Sequence, residues 1–318
     1  MNTKPIIPRA CSIWQGILAA IGIAAVAVAP VRAQFVFTTL DNPSAVGAVN
    51  QGTTLTGVSA GSIVGYYNDA GGAHGFLYNG GTFTSFDVPS GVGNTFAESI
   101  SGGSIVGYYL DINGSHGFLY NGGTFTTLDA PSAFGFTSAQ GISGSDIVGY
   151  YNDGLSTHGF LYNGGTFTAI NVPAGVNGTY ANGISGGSIV GYYTDSGGAS
   201  HGFLYNSGTF TTLDVPFVGV NGTFATAISG ANIVGYYTDG GGTHGFLYNG
   251  STYAALNDPL GVGTYAYGVS DSQIVGMYKD SGSVYHGFVT NIPEPSTWML
   301  VLAGIAGAAF CARRRLNS

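Results

Sequence analysis

An all-β fold built from six copies of one short repeat is predicted by three observations. His-Gly-Phe recurs at His74, His116, His158, His201, His244 and His286, at spacings of 42, 42, 43, 43 and 42 residues. Ile-Val-Gly recurs in step, beginning at Ile63, Ile105, Ile147, Ile189, Ile233 and Ile274. Between the two chain ends no window sustains a helical period. The segments there are short, rich in Ile, Val, Tyr, Phe and Thr, and separated by Gly, Asn, Asp and Pro, the pattern of strands and turns.

Each repeat divides into four strands. In the copy around residue 230 they are predicted at 209–214, 224–229, 232–237 and 244–249, the second being the weakest. Asn-Gly-Gly follows the fourth strand at Asn79, Asn121 and Asn163, a tight hairpin signal because such a turn needs positive φ. Asp-x-Pro ends the next strand, since proline cannot donate to a ladder. In Ile233-Val234-Gly235-Tyr236-Tyr237 neither alternating set is polar, so both faces of the sheet should be covered. Four strands in about 42 residues is the size of a propeller blade, and blades packed around a ring cover both faces.

The predicted fold is therefore a six-bladed β-propeller of four-stranded repeats. Its ends look complementary. Phe35–Asp41 is the strand that elsewhere follows His-Gly-Phe, and His286–Val289 is the strand that elsewhere precedes it. Pairing them would close the circle and leave no open edge. The rival is a linear solenoid, which would need unusual capping ends.

The flanks have a separate logic. Lys4 and Arg9 precede an apolar stretch from Ile13 to Ala29, and Val31-Arg32-Ala33 supplies small residues where a signal peptidase reads. A signal peptide over 1–33 with cleavage between Ala33 and Gln34 is expected; a first membrane helix is the alternative. At the other end, Pro293-Glu294-Pro295 leads into an apolar run over 297–312, closed by Arg313, Arg314 and Arg315. The run is short for a spanning helix, which takes ~20 residues. Trp298 suits one membrane interface and the arginines suit the cytoplasmic one. The expected organisation is a signal over 1–33, a repeat domain over 34–291 and a tail with a transmembrane sorting helix over 292–318.

That tail resembles the PEP-CTERM sorting signal in the order and spacing of Pro293, Glu294, Pro295, the apolar helix and Arg313–Arg315. The resemblance implies processing near Pro293–Pro295 by an exosortase-type membrane enzyme in a Gram-negative host that makes exopolysaccharide. It further implies a transient inner-membrane anchor followed by release or attachment at the cell surface. A permanent C-terminal anchor is the alternative. The repeats resemble the HAF family of extracellular bacterial repeats: His-x-Phe-Leu-Tyr, a turn, a strand, then Gly-Ile-Ser before Ile-Val-Gly. Here glycine stands for that family's alanine in all six His-x-Phe copies. The resemblance implies no settled activity.

Charge narrows the partners. Over 34–291, thirteen aspartates and Glu98 face Lys279 alone, a formal charge of −13. Nothing is available to neutralise phosphates, so nucleic acid is not an expected partner, and membrane contact is expected only through the tail. Cys11 and Cys311 both lie in the flanks, so the repeat domain has no disulfide and no cysteine metal site.

Candidate chemistry is sparse. A residue present once per repeat belongs to the repeat, so each histidine is expected to fix a loop by bonding a carbonyl, hydroxyl or aspartate. Asp69, Asp111, Asp153, Asp195, Asp239 and Asp280 follow the aromatic pair in Gly-rich loops and suit Asx turns. Ca²⁺ is the one cation such loops would suit, but no copy matches an EF-hand, and no cofactor is assigned. The Tyr-Tyr pairs offer rings to a glycan on one rim, although neighbouring strand residues point to opposite faces. Glu98 is the only glutamate of the repeat domain; a glycosidase would need a second carboxylate. The expected function is thus a non-enzymatic surface or matrix protein associated with exopolysaccharide or biofilm. The alternatives are a lectin-like propeller and a polysaccharide-active enzyme.

Overall fold

The structure, a computed structural model, describes residues 35–91, 94–217 and 219–293. The expected signal peptide and the sorting helix over 297–312 lie outside the described residues, as do Ala33, Gln34, Glu294, Pro295 and Arg313–Arg315. Among the described residues there are twenty-four strands and no helix, hence none long and apolar enough to cross a membrane.

The chain opens with β1 (Phe37–Thr39). The first repeat supplies β2 (Thr53–Ser59), β3 (Ser62–Asp69), β4 (Gly72–Asn79) and β5 (Thr82–Phe86). The second supplies β6 (Thr95–Ser101), β7 (Ser104–Asp111), β8 (Gly114–Asn121) and β9 (Thr124–Leu128). Next come β10 (Thr137–Ser143), β11 (Asp146–Asn152), β12 (Thr157–Asn163) and β13 (Thr166–Ile170). They are followed by β14 (Thr179–Ser185), β15 (Ser188–Thr194), β16 (Ser200–Asn206) and β17 (Thr209–Leu213). Then come β18 (Gly222–Ser229), β19 (Asn232–Asp239), β20 (Gly242–Tyr248) and β21 (Tyr253–Leu256). The last three are β22 (Gly263–Val269), β23 (Gln273–Lys279) and β24 (Tyr285–Asn291).

The expectation of six separate blades requires correction. The strands form five sheets. Four are four-stranded blades: β2–β5, β6–β9, β10–β13, and β22–β24 completed by β1. The remaining strands, β14 to β21, make one eight-stranded sheet. The fusion arises because β16 pairs not only with β17 but also, in parallel, with β18 at Ser200↔Gly222. β18 begins at Gly222, one residue earlier in the repeat than β14 does, and that residue makes the parallel bridge to Ser200. Elsewhere the same approach between neighbours gives only isolated bridges, as at Ala73↔Asn94 and Ser115↔Phe136. The result is a β-propeller arrangement of four blades and one double-width sheet.

The two ends meet as the sequence suggested. β1 pairs antiparallel with β24 through Phe37↔Thr290, Thr38↔Val289 and Thr39↔Phe288. Leu40 and Val289 pack with Leu55, Val58, Ile63 and Phe76 of the first repeat, alongside Val275 of the last. The second strands of the repeats, β2, β6, β10, β14, β18 and β22, contact one another in sequence, and β22 contacts β2. These strands, which looked weakest in the sequence, are the innermost of the molecule.

The core lies between successive repeats. Val148, for example, packs on Ile184, Ile189 and Phe203 of the following repeat. The phenylalanines of His-Gly-Phe, from Phe76 to Phe288, are fully buried, as is each valine of Ile-Val-Gly. The glycine of Ile-Val-Gly is dictated by the neighbouring backbone: a Cβ on Gly107 would stand 1.9 Å from the Phe96 carbonyl oxygen. The glycine of His-Gly-Phe is equally constrained, since a Cβ on Gly202 would stand 2.5 Å from the Leu213 oxygen.

Candidate functional site

Two sets of polar residues recur around the molecule, and they have different characters. The outer set is uniform. His74 bonds Asp87 through Nδ1 at 2.9 Å and Asp69 through Nε2 at 3.0 Å. His116 does the same with Asp129 and Asp111. His158 and His244 use Asn171 and Asn257 in place of the first aspartate. His286 bonds Asp41 at 2.7 Å across the junction of the two chain ends, so the closing pair repeats the geometry found within the copies. Each ring also lies against the second tyrosine of its pair, as Tyr67 on His74 and Tyr193 on His201.

The loop aspartates accept backbone N–H bonds at the same time. Gly71 donates to Asp69, Asn113 to Asp111, Gly197 to Asp195 and Gly241 to Asp239. These bonds, with histidine contacts in support, hold the carboxyls below their ordinary value, Asp153 at about 2. For His74 and His116 burial alone would lower the pKa, but the flanking aspartates prevail and raise it. For His201 the bond its ring donates to Asp214 is the largest influence, and the pKa is raised. The histidines are thus loop clamps. No group of three or more His, Cys, Asp or Glu placed to hold a metal ion occurs among the described residues.

The inner set differs from repeat to repeat. Every innermost strand carries a β-bulge, where two residues face one on the partner strand. The register slips between Leu55 and Gly57, Ala97 and Ser99, Ala139 and Gly141, Ala181 and Gly183, Ala225 and Ala227, and Ala266 and Gly268. The extra residues are Thr56, Glu98, Gln140, Asn182, Thr226 and Tyr267, and all six line the same two axial cavities. The larger, about 170 Å³, is walled by Tyr150, Tyr192, Phe224 and Tyr236. The smaller, about 70 Å³, is walled by aliphatic residues including Ile100, Ile142 and Ile184.

The first tyrosines of three Tyr-Tyr pairs, Tyr150, Tyr192 and Tyr236, belong to this inner wall. Tyr180 stacks on Tyr192 at 4.4 Å between centroids, and Phe224 on Tyr236 at 4.8 Å; edge contacts such as Tyr192 to Phe224 link the stacks. The second tyrosine packs beneath its histidine. One ring of each pair is thus packed away, and the rings that reach open space are those of Tyr150, Tyr192 and Tyr236 at the axial cavity. Burial raises the hydroxyl pKa of the inner tyrosines, Tyr236 to about 12. For Tyr66, Tyr108 and Tyr150 the nearby Glu98 adds to the rise.

Glu98 is the only acidic residue lining either cavity. Some of its surface faces the cavity, yet it lies deep in the molecule, and burial pushes its pKa up to about 8. Its carboxyl has no hydrogen-bond or ion-pair partner among the described residues. The sequence singled out Glu98 as a lone glutamate but missed its five counterparts. The legible signal was the one inner-strand position whose chemical class changes with every copy but one.

The PEP-CTERM protein-sorting motif family matches residues 291–315, the segment holding Pro293–Pro295 and Arg313–Arg315. The chain carries a PEP-CTERM sorting motif. The repeats gave no match to the HAF family, and no curated protein matches the sequence. Among solved structures, a putative TolB from Agrobacterium tumefaciens is 13% identical at a TM-score of 0.48, covering 81% of this chain and 91% of that one. The β-propeller domain of the Trilobed protease from Pyrococcus furiosus is 11% identical at 0.47, covering 72% and 75%. The fucose-specific lectin from Aleuria aurantia is 15% identical at 0.45, covering 82% and 100%. Likenesses this distant carry no argument about function. The motif marks this chain as an exported, surface-directed protein of the kind an exosortase sorts.

Proposed function

We propose that this protein is a non-enzymatic surface or matrix component, delivered through exosortase processing and associated with exopolysaccharide or biofilm. The sorting motif at 291–315 carries the reading. Two features of the domain support it. Its six histidines are engaged in loop clamps, which leaves none placed as a free general base. Its axial cavities hold one carboxylate, whereas hydrolysis of a glycosidic bond uses a pair. A rigid ring with strong negative charge suits display in a hydrated layer, where net charge opposes self-association.

Mass spectrometry of the mature C-terminus in the native host, beside an exosortase deletion, tests this reading. Processing near Pro293–Pro295 in the wild type and its loss in the deletion are expected. A chain still ending at Ser318 in the wild type would overturn it.

A further inference from the structure

The axial ring holds one acid without a partner, while four of its other members each place a donor on the protein. The Gln140 amide nitrogen donates to Ser138 Oγ at 2.7 Å, and the Asn182 amide nitrogen donates to the Ala225 oxygen at 2.9 Å. Thr56 donates to the Ala97 oxygen at 2.7 Å, and Thr226 to the Ala266 oxygen at 2.8 Å. The amide oxygens of Gln140 and Asn182 accept no hydrogen bond among the described residues, and these two residues line the cavities with Glu98 and the Tyr267 hydroxyl. Buried acceptors of this kind call for a donor, and a buried carboxylate calls for a cation.

The protein supplies no cation there. Lys279, the only basic residue between Gln34 and Asn291, lies over the Tyr285 ring at 5.8 Å. The histidines hold their aspartates. Thirteen aspartates elsewhere in the domain favour any cation over any anion. The walls, meanwhile, are aromatic on one side of the ring and aliphatic on the other, which suits an alkyl chain.

The geometry points to a binding site for a primary alkylammonium group, with Glu98 as counter-ion, Gln140 and Asn182 oxygens as acceptors and the axial walls around the alkyl chain. This goes beyond the surface-protein reading and stands without it. The group could be carried by a free amine or by a lysine side chain of a partner; the chemistry is the same. The titratable groups around Glu98 are the hydroxyls of Tyr66, Tyr108, Tyr150 and Tyr267, all neutral until strongly alkaline pH. Amine binding near pH 7 must therefore displace the proton that Glu98 otherwise keeps.

Isothermal titration of the purified protein with n-butylammonium, n-butanol and an N-acetylated lysine-containing tripeptide tests the site. Saturable butylammonium binding is expected, at least tenfold tighter than butanol. Its heat should vary with the ionisation enthalpy of the buffer, reporting proton release. Glu98→Gln should weaken binding at least tenfold and abolish the buffer dependence, and Asn182→Leu should weaken it severalfold. Tripeptide binding of equal strength would assign the site to a partner's lysine, and its absence to a free amine. No butylammonium binding, butanol binding as tightly, or Glu98→Gln binding unchanged would each overturn the proposal. Should Glu98→Gln fail to fold, Asn182→Leu and the buffer dependence decide in its place.

Discussion

Glu98 joins a stability question to the binding question. Its pKa in the fold lies far above that of the free side chain, so the folded state keeps its proton over a range where the unfolded state has lost it. The carboxyl therefore costs nothing below about pH 4.5, and the cost grows as pH rises toward about 8. Glu98→Gln should match the wild type in melting temperature near pH 4.5 and exceed it near pH 8.5. The gain at the alkaline end should be on the order of 3 kcal/mol. Parallel melting curves at both pH values would show that the group is better solvated than its position indicates. The Ile-Val-Gly glycine offers a second test. Gly107→Ala places a methyl group against a backbone oxygen that cannot rotate away. A loss of about 3 kcal/mol, typical of severe overpacking, should appear as a lower denaturant midpoint with an unchanged slope.

Among the elements, the loop clamps set their own pH window. Histidines with raised pKa, at His74, His116 and His201, stabilise fully below the unfolded histidine value of about 6.5, and that contribution is lost as pH rises through the folded value. The loop aspartates have lowered values, so their contribution is present above about 4 and lost as pH falls through the folded value. The clamps work best from about pH 4 to 6.5. In Glu98→Gln, which removes the axial carboxyl from the balance, melting temperature should peak in that window. Replacing His201 with Ala should lower the peak and flatten the alkaline limb; an unchanged profile would remove the clamp from the stability account. These clamps were legible in the sequence, because an Asp stands five or six residues before every His of the repeat. The bulges were not. A bulge adds no turn residue and leaves the strand's composition intact, so 95–101 reads as an ordinary weak strand until its partner shows that Glu98 has no opposite number.

At the scale of the whole molecule, closure draws on three residues of β1 and the partly buried Leu40. Deleting residues 34–40 removes the strand paired with β24 and the Leu40 contact with the first repeat's core. It also exposes a long strand edge. The deletion should abolish cooperative unfolding and raise the apparent size in solution by association. A truncated protein that melts as the intact one does would mean that the ends contribute little.

The sequence by itself determined the repeat, its strands, the complementary ends and the C-terminal sorting motif, because period, turn residues and a short terminal motif are local properties. It also determined the formal charge of −13 over 34–291. Sheet count was beyond it: whether neighbouring repeats touch through one bridge or fuse into an eight-stranded sheet turns on where β18 begins at Gly222. So was the axial site. Thr56, Glu98, Gln140, Asn182, Thr226 and Tyr267 stand about forty residues apart in the chain. Only the tertiary structure, by aligning the bulges around one axis, turns six unremarkable positions into a single polar ring that contains one unpaired acid.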